Sequence, residues 1–429
     1  MEKTMKLLKY LLPIALATCG IAATVNAAEF STVQEARERD DSAVTDFVKS
    51  KRVVSLQEKG GALMISGDVR SEWAHMHARR KSDKRLRGSG TGTKERAPFA
   101  TNEFNVEVNL MFDYKADRTW AAIQLQFDNS AGIQEHDKKD GTTNRNILWG
   151  SGSGSNLFLR KAYVGYNIAE QGTTRWDLQI GRSRLYDIFD SEVQFYSICD
   201  GLLLKYANSF EGVTDLTVKA AAFVVDYTVN QFGYVGEVGL LNLADSGLDI
   251  KYSIIDWDTH DGKNRYGKKN ARGSEFLNQQ FTAAYNFSPD MLPYKSKLYG
   301  AFLHNSKAEK SHFSRHSDES DAWYVGFKVG EVKRMGDWAL DLQYQWVEAQ
   351  SIPEFDVSGI KRDNPANISF YNKRWGGFAN YQGYKINGFY AITDNWTVNA
   401  FFEKVREESR RIGGRHRSYQ FEIAAIYAF

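Results

Sequence analysis

The feature that most constrains this chain is an alternation of apolar and polar residues that recurs in long segments from residue 62 to the end. In one segment, apolar residues occupy every second position from Phe104 to Tyr114, and Asn105, Glu107 and Asn109 lie between them. Because successive side chains of a strand point to opposite faces, each segment predicts a strand with one apolar and one polar face. Several segments reach the roughly 9–11 residues that a tilted transmembrane strand needs, whereas soluble strands cluster near about 5–6.

Sixteen such segments are predicted. They cover 62–74, 101–114, 119–128, 157–168, 175–183, 200–207, 214–225, 234–243, 247–255, 279–287, 295–304, 322–333, 336–348, 378–392, 395–405 and 418–429. The connectors between them alternate short and long, with 226–233 as the exception, and the prolines beyond residue 90 fall in connectors. A soluble sandwich gives no reason to sort connectors by end. The pattern therefore predicts an all-β transmembrane antiparallel barrel with short periplasmic turns and long extracellular loops.

Composition agrees only when the two strand faces are considered separately. A mean hydropathy of −0.49 resembles that of a soluble protein, and beyond the first thirty residues no run approaches the roughly 20 apolar residues of a spanning helix. Both observations exclude a helical membrane protein, but not a barrel, in which polar faces offset apolar ones. A formal net charge of +2 excludes a basic nucleic-acid-binding protein.

The amino terminus indicates the compartment. Three lysines precede an apolar run over residues 11–25, and residues 25–27 form a small-residue cleavage site, so residues 1–27 predict a Sec signal peptide. The alternative is a lipoprotein signal at residues 16–19, although threonine before the cysteine is atypical there. Removal of the signal leaves a chain without net charge, and its single cysteine, Cys199, has no internal disulfide partner.

Residues 28–61 are expected to form a polar periplasmic leader ahead of the barrel domain, 62–429. Apolar residues recur in the leader at roughly helical spacing, at Val33, Ala36, Val44, Phe47 and Val54. One interpretation is a short helix or coiled-coil arm. The interpretation we favour is a flexible, partly helical leader, since a single heptad-like face is visible.

Aromatic residues lie beside the short turns. They are Tyr114, Trp120, Tyr166, Trp176, Trp338 and Trp396. Amphipathic rings favour the membrane interface, so these residues predict an aromatic girdle.

The last strand carries a more specific signal. One face holds Tyr419, Phe421, Ile423, Ala425, Tyr427 and Phe429, and the sequence ends on this phenylalanine. This resembles the carboxy-terminal signature of outer-membrane barrels, which the barrel assembly machinery recognises. The resemblance implies that Tyr427 and Phe429 form an assembly signal.

Residues 62–429 as a whole resemble the sixteen-stranded porins of Gram-negative bacteria. Three stretches carry the resemblance beyond the strand pattern: residues 63–70, 159–166 and 180–182. It implies a homotrimer in the outer membrane, in contact with lipid and lipopolysaccharide. It also implies that the third extracellular loop folds into the lumen and constricts it.

The third long connector, 184–199, differs from the other loops. It lacks glycine and contains Tyr186, Phe189, Phe195 and Tyr196, whereas solvent loops are usually polar and rich in glycine. An apolar loop that carries Asp187, Asp190 and Glu192 suits packing on an inner wall while presenting carboxylates to a channel. We therefore expect these three residues to form the pore constriction. The alternative is a loop packed at a subunit interface.

Polar positions of the strands predict the lining of an aqueous lumen. The residues selected are Arg70, Glu72, Glu107, Gln124, Gln126, Asp128, Lys161, Lys219 and Lys251. Basic residues that face the loop carboxylates would create a transverse field and set ion preference. Arg182 breaks the alternation because it falls on the lipid face, which a bulge at Gly181 or a position above the membrane would explain.

Two extracellular loops are strongly basic. The first contains Arg79, Arg80, Lys81, Lys84, Arg85, Arg87, Lys94 and Arg96, and the last contains Arg406, Arg410, Arg411, Arg415 and Arg417. These residues could bind lipopolysaccharide phosphates, attract anionic solutes, or be ordinary solvated loop charge.

No catalytic, metal or cofactor site is predicted. A barrel phospholipase would need a serine and histidine pair at the lipid boundary, and no histidine lies beside a serine in the middle of a strand. His312 and His316 have the spacing of metal ligands on a helix, but they occur in a polar loop without the accompanying glutamate. The sequence therefore predicts a porin for passive diffusion of ions and small hydrophilic solutes. The alternatives are a substrate-specific channel and, with less support, a barrel-anchored adhesin or structural protein.

Overall fold

Sixteen long strands form a closed antiparallel barrel in the part of the chain that the structure describes, as the alternation predicts. The computed structural model describes residues 47–48, 51, 54–58, 61–80, 85–87, 102–130, 156–226, 231–259, 275–310, 318–353, 356–360, 367–368, 376–377, 379–409 and 416–429. The predicted signal peptide, residues 1–27, lies outside these ranges.

The barrel strands are β1 Gly61–Arg80, β2 Asn102–Ala116, β3 Thr119–Ser130, β4 Asn156–Gln171, β5 Thr174–Arg184, β6 Ile198–Phe210, β7 Thr214–Asp226, β8 Gln231–Leu243, β9 Leu248–Thr259, β10 Phe276–Asn286, β11 Ser296–Asn305, β12 Asp321–Gly330, β13 Trp338–Val347, β14 Tyr381–Ala391, β15 Trp396–Arg406 and β16 His416–Ala428. Each pairs with its sequence neighbours. Short turns and long connectors alternate as expected, and the described strands β7 and β8 end and begin with only four residues between them, at the exception predicted from the sequence. We call the two ends of the barrel the short-turn end and the long-connector end.

The barrel closes between its first and last strands. β16 pairs with β1, where Asp68 lies opposite Ala428, and with β15, where Trp396 lies opposite Tyr427. Phe429 continues the seam, since its backbone N–H and C=O both bond to Gly67, each at 2.9 Å. Closure satisfies the edge groups that an open sheet would leave unpaired.

Alternation along the strands sorts the side chains between the lumen and the outer face. Large apolar residues are exposed on the outer face, such as Ile123 at 45% and Val164 at 55%. Polar residues on the opposite face, such as Asp68 and Asn109, are buried among other polar side chains. The wall therefore has an apolar exterior and a largely polar interior.

Two short strands extend the sheet beside β1. Val54–Glu58 pairs with residues 61–65, so the predicted leader ends in a strand. Arg85–Arg87 pairs with the other end of β1.

The described part of the leader also contacts the inside of the barrel at its short-turn end. Phe47 and Val48 are helical and buried, and they pack in one cluster with Val332, Ala391 and Ile426. Lys51 donates a hydrogen bond from Nζ to the carbonyl of Lys333 at 2.9 Å.

No helix among the described residues is long and apolar enough to span a membrane.

The strand register corrects the expectation of a bulge at Gly181. Pairing of β5 with both neighbouring strands continues without a shift through Gly181, and Arg182 stays on the outer face. Its guanidinium forms an ion pair with Asp200 of β6 at 2.7 Å. The Arg182 charge is therefore matched by a carboxylate on the same face. The irregularity near the predicted lining lies instead at Arg160 in β4, where the register shifts.

One girdle residue is also placed differently from the prediction. Trp120 turns into the lumen and covers Gly165 of β4, with the Arg175 guanidinium 5.8 Å from its ring centroid. Tyr114, Tyr166, Trp338 and Trp396 are exposed at the short-turn end, as expected. Trp120 lies on the same face of β3 as Gln124 and Gln126, so the strand alternation places its ring in the lumen although the residue is aromatic.

This contact makes Gly165 sensitive to substitution. A β-carbon at position 165 would overlap the Trp120 indole, so Gly165→Ala is expected to destabilise the barrel by about 1–3 kcal/mol, as overpacking does. Thermal unfolding in detergent measures the effect. Gly236→Ala is the matched control, because its β-carbon would meet its nearest atom, of Ile254, at an ordinary 3.7 Å. Equal midpoints for the two variants would contradict the prediction.

Candidate functional site: a loop folded into the lumen

The connector between β5 and β6 turns inward. A 3-10 helix at Leu185–Asp187 begins it, and the backbone N–H of Leu185 bonds to the carbonyl of Ser197 at 3.0 Å, which draws the two ends together. Residues 185–197, called the constriction loop below after the role expected from the sequence, contact lumen-facing side chains from several strands. Gln194, for example, exchanges amide hydrogen bonds with Gln280 and Asn278 of β10. This placement does not match the alternative of a loop at a subunit interface.

Apolar contacts hold the loop near both of its ends. Leu185, Ile188, Phe189 and Phe195 are buried in one cluster with inner-wall residues of β6–β10, namely Leu203, Phe223, Val235, Ile255, Trp257 and Phe276. Complete burial of one such side chain contributes about 1.5–3 kcal/mol. The inner wall is therefore apolar where the loop covers it, which explains an aromatic loop without glycine.

The three predicted carboxylates all meet basic side chains. Asp187 Oδ2 lies 2.8 Å from Lys161 Nζ and 3.0 Å from Arg184 Nε. Asp190 Oδ2 lies 2.9 Å from Lys251 Nζ, and Glu192 Oε2 lies 3.8 Å from Lys385 Nζ. The loop thus spans from β4 to β14 across the lumen.

These pairs bear on the expected transverse field. Lys161 and Lys251, which were predicted to line the lumen, bind the loop carboxylates directly. At such distances the opposite charges of each pair largely cancel, so the pair contributes little electric field beyond a few ångströms. The pairs therefore fasten the loop to the wall.

Lys219 of β7 also contacts the constriction loop. Its Nζ donates to the carbonyl of Ile188 at 2.5 Å and to Glu237 Oε1 of β8 at 2.9 Å. Glu237 also accepts a hydrogen bond from the backbone N–H of Asp190 at 3.4 Å. Glu237 was not among the predicted site residues, although it lies at a polar position of its strand.

Opposite strands carry a second polar network. Arg70 Nε donates to Asp68 Oδ1 at 2.7 Å and lies 3.8 Å from Glu107 through Nη1. Asn109 donates to both carboxylates and accepts a hydrogen bond from Gln124 at 3.2 Å. The structure thus brings three of the predicted lining residues, Arg70, Glu107 and Gln124, into one hydrogen-bonded group on β1–β3.

The other lining residues are distributed around this group. Gln126 accepts a hydrogen bond from Arg160, the residue at the register shift. Glu72 lies opposite Asn105 in the register and follows the same face. The Asp128 side chain lies outside the described part of the chain. Most side chains of the basic first loop lie outside it as well, as do His312 and His316.

The segment after β13 was missed by the sequence interpretation. Residues 356–360 also lie in the lumen and contact the constriction loop through Asp356 and Ser358. The signal was available, since Ile352, Val357 and Ile360 give this connector the same apolar character that marked residues 184–199.

Three carboxylates gather at the long-connector end, outside the strands. Glu319, Glu348 and Glu408 place ligand atoms within 4.8 Å of one another. Burial raises the pKa of Glu348 to about 7, helped by the charges of Glu319, Asp321 and Glu408 and opposed by a hydrogen bond from the Asp321 N–H. Burial and the Glu319 charge also raise the pKa of Glu408. The folded protein therefore favours the protonated forms of Glu348 and Glu408.

This cluster predicts a pH dependence of stability. Since the folded pKa of Glu348 is about 7 and the ordinary value is 4.5, ionising it costs the folded state, and stability falls as pH rises between these values. Thermal unfolding midpoints should therefore decrease from about pH 4.5 to pH 8, and Glu348→Gln should reduce the decrease. Asp318→Asn, at an exposed position nearby, should leave it unchanged. An identical decrease in wild type and Glu348→Gln would contradict the prediction.

Comparison with known proteins finds solved structures that are similar to this chain but no similar protein family or curated sequence. No family model matches the chain, and no curated protein matches it. Pseudomonas putida OprB at high pH is 11% identical, with a TM-score of 0.50 over 86% of this chain and 94% of OprB.

The chain has the porin fold.

Two further porins align at lower scores. Salmonella typhi OmpF in complex with daunomycin is 12% identical, with a TM-score of 0.45 over 88% of this chain and all of OmpF. A triple mutant of the Rhodopseudomonas blastica porin is 8% identical, with a TM-score of 0.42 over 86% of this chain and all of that porin. The strand count and closure of the barrel carry the assignment of the fold, and the subfamily stays unresolved.

Proposed function

We propose that the protein forms a water-filled channel for passive diffusion of ions and small hydrophilic solutes across the outer membrane of a Gram-negative bacterium. The observation that carries this proposal is a closed barrel with an apolar exterior and a polar interior that holds an inward-folded, charged loop. A barrel of sixteen strands encloses an aqueous lumen rather than a packed core.

The exterior supports a position in a membrane. Large apolar side chains are exposed around the wall, including Ile180, Leu202 and Phe302. A soluble protein rarely exposes an apolar surface of this extent, and lipid tails would cover it.

The proposed role of Asp187, Asp190 and Glu192 is to form the constriction. Their ion pairs with the wall hold the loop across the lumen, so the loop narrows the passage. We further propose a homotrimer, insertion by the barrel assembly machinery, and contact with outer-membrane lipid and lipopolysaccharide. The proposal needs no cofactor and assigns no catalytic step.

Liposome swelling tests the function. Purified protein reconstituted in vesicles should admit small sugars at rates that decline smoothly with solute size, and planar bilayers should show discrete conductance steps in salt. Vesicles that stay impermeable to every solute would contradict the channel and favour an adhesin or structural anchor. Heat-denatured protein in the same vesicles serves as the control.

A substrate-specific channel is the second candidate. The observation that favours it is the second connector in the lumen, residues 356–360, which leaves less open space than one inward loop would. Saturation of flux by a single solute class would support this candidate over a general porin. The series of graded sugars separates the two cases in one experiment.

A further inference from the structure

One buried aspartate binds the constriction loop from a different connector. Asp356, between β13 and β14, is 0% exposed, and its Oδ2 and Oδ1 accept hydrogen bonds from the N–H groups of Phe195 at 2.9 Å and Ser197 at 3.0 Å. Its backbone carbonyl accepts the N–H of Tyr196 at 3.2 Å. A single residue therefore takes three consecutive N–H groups of the loop.

Ser358 extends the contact toward the middle of the loop. Its N–H donates to the carbonyl of Val193 at 3.0 Å, and its Oγ donates to the carbonyl of Gln194 at 2.9 Å. Main-chain groups of residues 193–197 thus bond to backbone and side-chain atoms of Asp356 and Ser358. Backbone groups inside a barrel need such partners, because an unpaired buried group is costly.

The wall joins the same two segments through Gln345 of β13. Its Nε2 donates to the carbonyl of Glu192 at 3.1 Å, and its Oε1 accepts the N–H of Ile360 at 2.9 Å. Gly359 passes so close that a β-carbon there would overlap the Tyr381 hydroxyl. The second segment is therefore pressed between the wall and the constriction loop.

Apolar side chains of the constriction loop and the second connector also pack against each other. Val193 of the loop lies in one buried cluster with Ile352, Val357 and Ile360 of the second connector. Tyr381 of β14 belongs to this cluster as well. The second connector therefore packs against Val193, a loop residue that the first apolar cluster does not include.

The backbone of Phe195 shows why the loop needs this partner. Its φ of +74° lies in the left-handed region, which is unfavourable for a residue with a side chain. Such a conformation persists where surrounding contacts determine it, and Asp356 binds the N–H of this residue. Hydrogen bonds to a carboxylate are stronger than neutral ones.

We propose that Asp356 is a positioning residue that holds the constriction loop against the inner wall. The connector between β13 and β14 then sets the width of the channel jointly with the loop. The statement about width rests on the proposed channel function, whereas the statement about loop position does not.

Cys199 provides a reporter of loop position that is independent of conduction. It is the single cysteine beyond residue 27, it is 6% exposed, and it belongs to the buried cluster that contains Leu185 and Phe195. A thiol reagent can reach it only after the loop moves away. Its labelling rate therefore measures how often the loop leaves the wall.

The test compares Asp356→Ala with wild type in purified, folded protein. Labelling of Cys199 by a small polar thiol reagent is expected to accelerate about tenfold, since loss of the contact makes local opening easier. Single-channel conductance in planar bilayers is expected to rise about twofold as the passage widens. Asp356→Asn keeps one acceptor oxygen and should give smaller changes of the same sign. Asp318→Ala, at an exposed aspartate of the same end, should give neither.

The two measurements distinguish the positioning role of Asp356 from the proposed channel function. Unchanged labelling in Asp356→Ala, or in Asp356→Asn if the alanine variant does not fold, would overturn the proposal. Faster labelling with unchanged conductance would support the positioning role of Asp356 but contradict the constriction role of the loop. Faster labelling with higher conductance supports both.

Discussion

Deletion of residues 187–195 is expected to raise single-channel conductance at least about twofold, because it removes the protein segment that crosses the lumen. The geometry favours such a deletion. Leu185 and Ser197 are already hydrogen bonded at 3.0 Å, so the shortened connector can close without pulling on β5 or β6. Planar bilayer recordings in salt measure the step size directly.

The control for the deletion is a variant that keeps the loop and removes a charge pair. Asp190→Asn combined with Lys251→Met removes the ion pair at 2.9 Å without shortening the chain. Its conductance should change much less than that of the deletion variant, since the hydrophobic cluster still holds the loop. Unchanged conductance in the deletion variant would show that the loop does not limit the passage.

Removal of Phe429 is expected to reduce the yield of folded barrel in the outer membrane about tenfold or more, because β-barrels expose an unpaired edge when closure fails. Phe429 forms two backbone hydrogen bonds with Gly67, and its ring lies against the space where a Gly67 side chain would be. The yield is measured from the shift in gel mobility between unheated and heated membrane samples.

A second measurement distinguishes recognition from closure. Phe429→Ala keeps the backbone bonds to Gly67 but removes the ring, so it should fold into lipid vesicles nearly as wild type does. In cells its yield should still fall if the ring is part of an assembly signal. Phe210→Ala, at an exposed aromatic residue at the end of β6, is the matched control. Equal cellular yields of the two variants would contradict a special role for the carboxy terminus.

The strands were predictable because their signal is local. Apolar and polar residues alternate through each strand, as a wall with an apolar outer face and a polar inner face requires. The segment from Phe104 to Tyr114 of β2 could therefore be identified from the sequence without knowing any tertiary contact. The apolar composition of 184–199 was likewise consistent with the inward loop that the resemblance to porins implied. Both are statements about which environment a side chain needs.

The partners of those side chains were not predictable. Lys161 and Asp187 are close in sequence, but Lys385 meets Glu192 from a strand nearly two hundred residues later. The sequence indicated a lumen position for Lys161, yet it contained no information on whether this lysine faces open solvent or binds the loop. Trp120 shows the same limit, since its direction follows the register of β3 and the space above Gly165.

By itself, the sequence determined an all-β membrane barrel, its strand count, its alternating connectors and the unusual apolar character of residues 184–199, because each depends on side-chain hydrophobicity along the chain. Tertiary structure decided where that loop rests, which charges neutralise one another, and that Asp356 of a distant connector binds Phe195 and Ser197. These features depend on closure, which brings β4, β9 and β14 around one lumen. Contacts across a closed lumen join residues that are remote in sequence, and no local pattern encodes them.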